Sequence, residues 1–194
     1  MKQKQCKIAI TGGIGCGKSY VCHRIEAAGF PVFYCDDEAK RILKNDKKVK
    51  VALQALVGKE VYDSAGELNK PLMRNFLLQG KAYADQIDAI VHPRVAEVFL
   101  EWAEQQDREK VFMECAILFE SGFEKFVNQV LYIAAPQEIR LERVMKRDQV
   151  TREKAQQWMA LQMNEEEKAQ RSDFTILNDG KADIDIQLHE ILND

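Results

Sequence analysis

The apolar residues of this chain fall in short, unbroken runs: "KIAIT" at 7–11, "PVFYC" at 31–35, "KVFMEC" at 110–115, "QVLYIAA" at 129–135 and "DFTIL" at 173–177. Most are apolar throughout instead of alternating, which is how strands buried on both faces of a parallel sheet read. Helical periodicity lies between them. In "KSYVCHRIEAAG", Val21, Ile25 and Ala28 share a face and Gly29 supplies a stop. "DEAKRILKN" follows the second run in the same way. Alternating strands and helices predict an α/β fold with a parallel sheet flanked by helices.

Two segments exceed that core. Residues 47–106 read as helical, with a turn at "VYDSAGELNKP" and a break at "HPR". Residues 146–171 start basic and continue as one long polar helix. No Pro/Gly/Ser-rich linker separates either from its surroundings, so both read as insertions into a single domain spanning 1–194. The core is then 1–46, 107–145 and 172–194, with an acceptor-side insertion at 47–106 and a lid at 146–171.

The join between the first strand and the first helix carries chemistry. "GGIGCGKS" fits G-x-x-x-x-G-K-[ST] through Gly12, Gly17, Lys18 and Ser19, the phosphate-binding P-loop. Glycines let backbone N–H groups converge on an anion without a Cβ in the way. The following helix adds its unpaired amides and the positive end of its dipole. Lys18 reaches the outer phosphates, and the Ser19 hydroxyl suits Mg²⁺, a hard cation that takes oxygen ligands. Cys16, inside the loop near that helix start and two residues from Lys18, has the setting of a reactive thiolate. The alternative is that it fills a small-residue position with its sulfur turned inward.

Composition narrows the partners. Net charge is −3, with 30% charged and 46% hydrophobic residues, so no broad basic field points to nucleic acid. There is no run of eighteen apolar residues and no secretory signal, since "MKQKQ" leads straight into a strand. No membrane association is expected. Five cysteines without C-x-x-C fit a reducing, cytoplasmic setting, and no obligate protein partner is evident.

The receiving side is read from carboxylates and arginines. "DSAG" at 63–66 matches the D-x-x-G of a switch GTPase but sits in a polar stretch, and "NKPL" lacks the Asp of N-K-x-D; a turn is the simpler reading. "KVFMEC" offers Glu114, mid-run, where a motor ATPase would end its strand on Asp. Asp36 and Asp37 follow the second strand at once. Ligands of open parallel sheets bind outside the carboxyl ends of strands, so Asp36 suits proton acceptance beside a γ-phosphate, while either Asp also suits capping of the next helix. Arg140, Arg143 and Arg147 fall at i, i+3 and i+7 on one helix face. That face reads as a phosphate clamp or as a solvated surface mixed with Glu138 and Glu142.

Together these motifs resemble the dephospho-CoA kinase family over nearly the whole chain: "ITGGIGCGKS", "GFPVFYCDDEAK", "VGKEV", "GELNK", "IVHPRV", "ILFESGF", "RLERVMKRD" and "SDFTILNDG". The resemblance implies a nucleotide-kinase-like P-loop nucleoside-triphosphate hydrolase core with a helical acceptor-binding insertion and a lid. It also implies transfer of the ATP γ-phosphate to the ribose 3′-hydroxyl of dephospho-CoA, with Mg²⁺. Lys18, Asp36 and Arg143 would be catalytic. Gly13, Ile14, Gly15, Cys16, Gly17, Lys18, Ser19, Tyr20, Arg143, Arg147 and Asn178 would bind ATP, and Ser19 the metal. Asp36, Lys70, His92 and Glu120 would bind the acceptor. The chain departs from the pattern at Tyr34, in place of the first Asp of D-A-D, at Lys40 and Lys70 in place of Arg, at Ala116 in place of Pro and at Tyr20 in place of Thr. Another small-molecule kinase of similar core, or a nucleotide-gated interaction protein without turnover, are the rival readings.

Overall fold

Strand β1 (Cys6–Thr11) occupies the centre of a five-stranded parallel sheet of order β2-β3-β1-β4-β5, in a computed structural model that describes residues 5–193. The Met1–Lys4 lead into the first strand lies outside those residues. The other strands are β2 (Val32–Tyr34), β3 (Lys110–Glu114), β4 (Gln129–Ala134) and β5 (Phe174–Leu177). Each coincides with one of the apolar runs. β1 pairs in parallel with β3 (Ile10 opposite Glu114) and with β4 (Thr11 opposite Tyr132), and β4 with β5. Because β1 is flanked on both sides, Ile8, Ala9 and Ile10 have no exposure at all. Burying a side chain of the Ile class contributes about 1.5–3 kcal/mol relative to leaving it in water.

The strand order also sets where a ligand can lie. After β1 the chain crosses to β2 at one edge, returns to β3, and then passes to β4 on the other side of β1. The crevice at such a reversal is the general ligand position of open α/β sheets. The segments that leave β1 and β4 therefore meet there.

The chain divides into two compact units, 5–33 with 103–193 and 34–102. The first holds most of the sheet with helices α1 (Lys18–Ala27), α6 (Gln137–Asp148), α7 (Arg152–Ala160), α8 (Glu165–Gln170) and α9 (Ile184–Asn193). The second begins at Tyr34 and carries α2 (Cys35–Asn45), α3 (Lys47–Val57), α4 (Lys70–Leu77) and most of α5 (Lys81–Glu104). The acceptor-side insertion expected at 47–106 overlaps this unit, whose first helix starts earlier. No described helix is long and apolar enough to cross a membrane.

In the second unit, Asp46 caps α3 by accepting from the Lys48 and Val49 amides at 2.9 and 3.1 Å. It also accepts from Arg94 Nε at 2.8 Å, and that guanidinium holds the Asp46 carboxyl below the usual carboxylate range. "DSAG" is a turn: Asp63 Oδ1 accepts from Ala65 and Glu67, both at 2.9 Å, below a bridge between Tyr62 and Leu68.

Two helix predictions change. "HPR" is not a break, because α5 runs through Pro93. A proline inside a helix costs about 3 kcal/mol. Val91, Val95, Ala96 and Phe99, all buried on either side of it, offset that by packing. Nor is 146–171 one long helix. α6 ends at Gln149 in the left-handed region (φ 52), Thr151 caps α7 and Asn164 caps α8. Thr and Asn satisfy the amides of a new helix start better than they serve mid-helix. Val150, Trp158 and Met159 can then pack on Leu141, Val144 and Ala155, which a straight helix would carry away from them.

A left-handed residue with a Cβ costs about 1–2 kcal/mol, which glycine avoids. Gln149→Gly is therefore expected to raise stability by about 1 kcal/mol, measured as a higher urea midpoint with an unchanged slope.

Candidate nucleotide site

The loop between β1 and α1 aims its backbone by way of glycines. Gly15 has φ 82 and Gly17 has φ 91. A Cβ on Gly15 would stand 2.5 Å from the Arg140 carbonyl, and one on Gly17 would overlap the Asn178 side-chain amide. These close approaches are the means by which α6 and the end of β5 reach the loop. No side chain caps α1, so the amides of its first turn keep the anion-binding character of an open helix start.

A loop that turns its N–H groups inward turns carbonyls outward, and those need donors. Lys18 Nζ donates to Gly12 O at 2.9 Å. Arg140 Nε donates to Ile14 O at 3.0 Å. Arg143 Nη1 lies 3.4 and 3.3 Å from the Gly15 and Cys16 carbonyls, and its Nη2 3.4 Å from Asn178 Oδ1. Asn178 Nδ2 donates to Cys16 O at 2.8 Å, with its own backbone held by Ala134 O.

Of the three arginines on the shared helix face, two meet the loop and one does not. Arg140 is buried, with 4% exposure. Arg147 instead pairs with Asp148 at 2.7 Å and is largely exposed. Seven residues of helix rise about 10.5 Å, which carries Arg147 past the loop that Arg140 and Arg143 embrace. Arg147 therefore lies beside Asp148, away from the loop carbonyls. Arg140 was visible as a member of the face, yet nothing in the sequence marked it as the buried one.

The 146–171 segment contributes residues that the sequence did not single out. Gln162 Oε1 accepts from the Ile14 amide at 2.7 Å, and Glu165 Oε2 from the Gly13 amide at 3.1 Å. Glu120 accepts from the Met163 amide at 3.0 Å, with the buried Lys168 Nζ 3.8 Å away. Ser19 and Tyr20 are exposed in the first turn of α1.

The remaining candidates belong to the second unit. Asp36 and Asp37 are both exposed in the first turn of α2. Neither is the N-cap, a place taken by Tyr34 without a side-chain capping bond; both favour the helix through its dipole. Asp37 pairs with Lys40 at 2.8 Å. Lys70 is the exposed first residue of α4, after an Asn69 cap. His92 lies on α5, 3.4 Å from Asp88 one turn earlier.

Cys16 is not the reactive thiol its position suggested. It has no exposure, and a Cβ on Gly12 would lie 2.7 Å from its sulfur, so the side chain points into the core. Burial pushes its pKa up, overriding the opposite pull of Lys18.

A family model described as dephospho-CoA kinase matches residues 6–183. A dephospho-CoA kinase of Bacteroides fragilis is 41% identical over 187 residues, covering 96% of this chain and 91% of the relative. A Thermus thermophilus crystal structure superposes with a TM-score of 0.85 at 29% identity, over 98% of this chain and 97% of that one. A dephospho-CoA kinase structure from Campylobacter jejuni does so with a TM-score of 0.69 at 26% identity, over 96% and 95%.

Brief iodoacetamide treatment with mass mapping checks the burial of the loop thiol. Cys6, half-buried, is expected to label first, and Cys16 to resist with or without ATP, since Cys16, Cys22, Cys35 and Cys115 are all buried. Fast labelling of Cys16 that ATP suppresses would contradict the inward orientation.

Proposed function

This chain belongs to the dephospho-CoA kinase family, and we propose that it moves the γ-phosphate of ATP to the ribose 3′-hydroxyl of dephospho-CoA, giving coenzyme A and ADP. The observation that carries the reading is the P-loop whose carbonyls are held by Lys18, Arg140, Arg143 and Asn178, ahead of an α1 start that no side chain caps. In the transfer, the 3′-oxygen forms a bond to phosphorus as the bond to the bridging oxygen of ADP breaks. Asp36, just past the end of β2, accepts the hydroxyl proton. Lys18 and Arg143 offset the charge that gathers on the phosphates. Arg140 keeps the loop in shape, acting through Ile14 O. Lys70, His92 and Glu120 are proposed on the acceptor side.

The residues present fit Mg²⁺. Ser19 is an exposed hydroxyl at the start of α1, the Thr11 hydroxyl at the end of β1 is buried with no hydrogen-bond partner, and Glu114 ends β3 in register with Ile10. No cluster of three acidic, His or Cys side chains suited to a metal occurs among the described residues. Magnesium of this class draws most of its ligands from phosphates and water and needs no such cage. Ser19 would hold it, and bound there it supplies positive charge to the phosphates. The cysteines are thiols and not disulfides, which supports a reducing, cytoplasmic setting.

A coupled ADP-release assay with ATP and dephospho-CoA tests the reading; ATP binding without transfer to this acceptor would refute it. In that assay Lys18→Ala is expected to lower turnover by about 10²- to 10³-fold, the usual effect of losing one electrostatic contact to the transition state, with the circular dichroism of the fold unchanged.

Asp36→Asn keeps the size of the side chain but removes the proton acceptor. The expected outcome is a large fall in kcat with little change in ATP affinity. If Asp37→Asn proves the damaging change instead, the assignment between the neighbours is reversed.

A further inference from the structure

Glu165 sits where an anion belongs. It opens α8 beside two other glutamates, but its surroundings differ from theirs. Oε2 accepts from the Gly13 amide at 3.1 Å, the Tyr132 hydroxyl at 2.8 Å and Arg140 Nη1 at 2.9 Å. Oε1 is 3.5 Å from Nζ of the fully buried Lys168. By contrast Glu166 is exposed, and Glu167 pairs with Arg171 at 3.6 Å. Glu165 is not needed to cap its helix either, because Asn164 does so through the Glu166 amide. A backbone amide of a P-loop, a guanidinium, an ammonium and a phenol O–H are the donor set of a phosphate oxygen. The next amide of the loop, at Ile14, is taken by Gln162 from the same segment.

Resting on the reading of the loop as a nucleotide site, we propose that Glu165 is a built-in phosphate surrogate. Its carboxylate and a phosphate group of the nucleotide compete for the Gly13 amide, Arg140 and Lys168. A buried cation left without a carboxylate is costly; Lys168 would keep Glu120 at 3.8 Å, but Arg140 pairs with no other acid among the described residues, so Glu165 yields only to a ligand that brings negative charge to the same donors. One carboxylate carries a single charge, so inorganic triphosphate displaces it far better than inorganic phosphate does. The side chain has somewhere to go. Glu165 lines a cavity of about 570 Å³ shared with Arg140, Gln156, Met159 and Gln162. Affinity falls by the fraction of molecules in which the donors are open, so a surrogate seated nine times in ten weakens binding about tenfold.

Calorimetric titration with inorganic triphosphate, without acceptor, tests this. Glu165→Ala is expected to bind about tenfold tighter than the wild type. Glu165→Gln, which keeps an acceptor but loses the charge, should fall between, and Glu166→Ala should match the wild type. In the wild type, triphosphate should also speed hydrogen exchange over residues 162–168 as Gln162 and Glu165 release the loop, a readout that needs no variant to fold. Unchanged or weaker binding by a folded Glu165→Ala, or exchange at 162–168 that does not respond, overturns the proposal. Triphosphate binding to neither protein would overturn the nucleotide site as well. Because no arm contains dephospho-CoA, an error in the acceptor would leave these outcomes as they stand.

Discussion

The first unit depends on the backbone polarity of one loop. If the amides at the Gly15 and 17–19 positions are to face an anion, the carbonyls of Gly12, Ile14, Gly15 and Cys16 must face the protein, and a buried carbonyl left unpaired costs about as much as a lost hydrogen bond. Each finds a donor: Lys18, Arg140, Arg143 or the Asn178 amide. That requirement explains why α6 crosses the loop with arginines one turn apart and why the end of β5 carries an asparagine. It also explains Gly15 and Gly17, since a side chain at either would push these donors away.

The sheet order brings those donors within reach. β1 and β4 are neighbours, and the chain leaves them in opposite directions, so the loop after β1 and the helix after β4 start side by side. Arg140 and Arg143 lie within the first two turns of α6 and meet the loop; Arg147, nearly three turns in, ends beside Asp148. The segment after α6 is built on the same economy of reach. Breaking 146–171 at Gln149–Thr151 and Leu161–Asn164 folds its apolar residues onto α6 and returns Gln162 and Glu165 to the loop.

The second unit is organised by Asp46, which serves two elements at once. It caps α3 and pairs with Arg94 of α5, so the start of one helix is tied to the middle of another. Pro93 precedes that arginine inside a helix that sequence rules would end. The apolar residues on both sides of the proline are buried, and their packing outweighs the lost backbone bond.

The sequence by itself determined the strands, the α/β class and the phosphate loop. Uninterrupted apolar runs have one good use in a parallel sheet, and G-x-x-x-x-G-K-S encodes its conformation locally, residue by residue. Only the tertiary structure decided which arginine is buried, that the Cys16 thiol points inward, that α5 survives its proline and that the 146–171 segment bends twice. It alone singled out Glu165 from three consecutive glutamates and set Glu120 against the Met163 amide. None of these follows from spacing, because each turns on what is packed alongside: Gly12 against the Cys16 sulfur, and Tyr132 and Arg140, distant in the chain, beside Glu165. Local chemistry writes the loop, and long-range packing selects the partners that hold it.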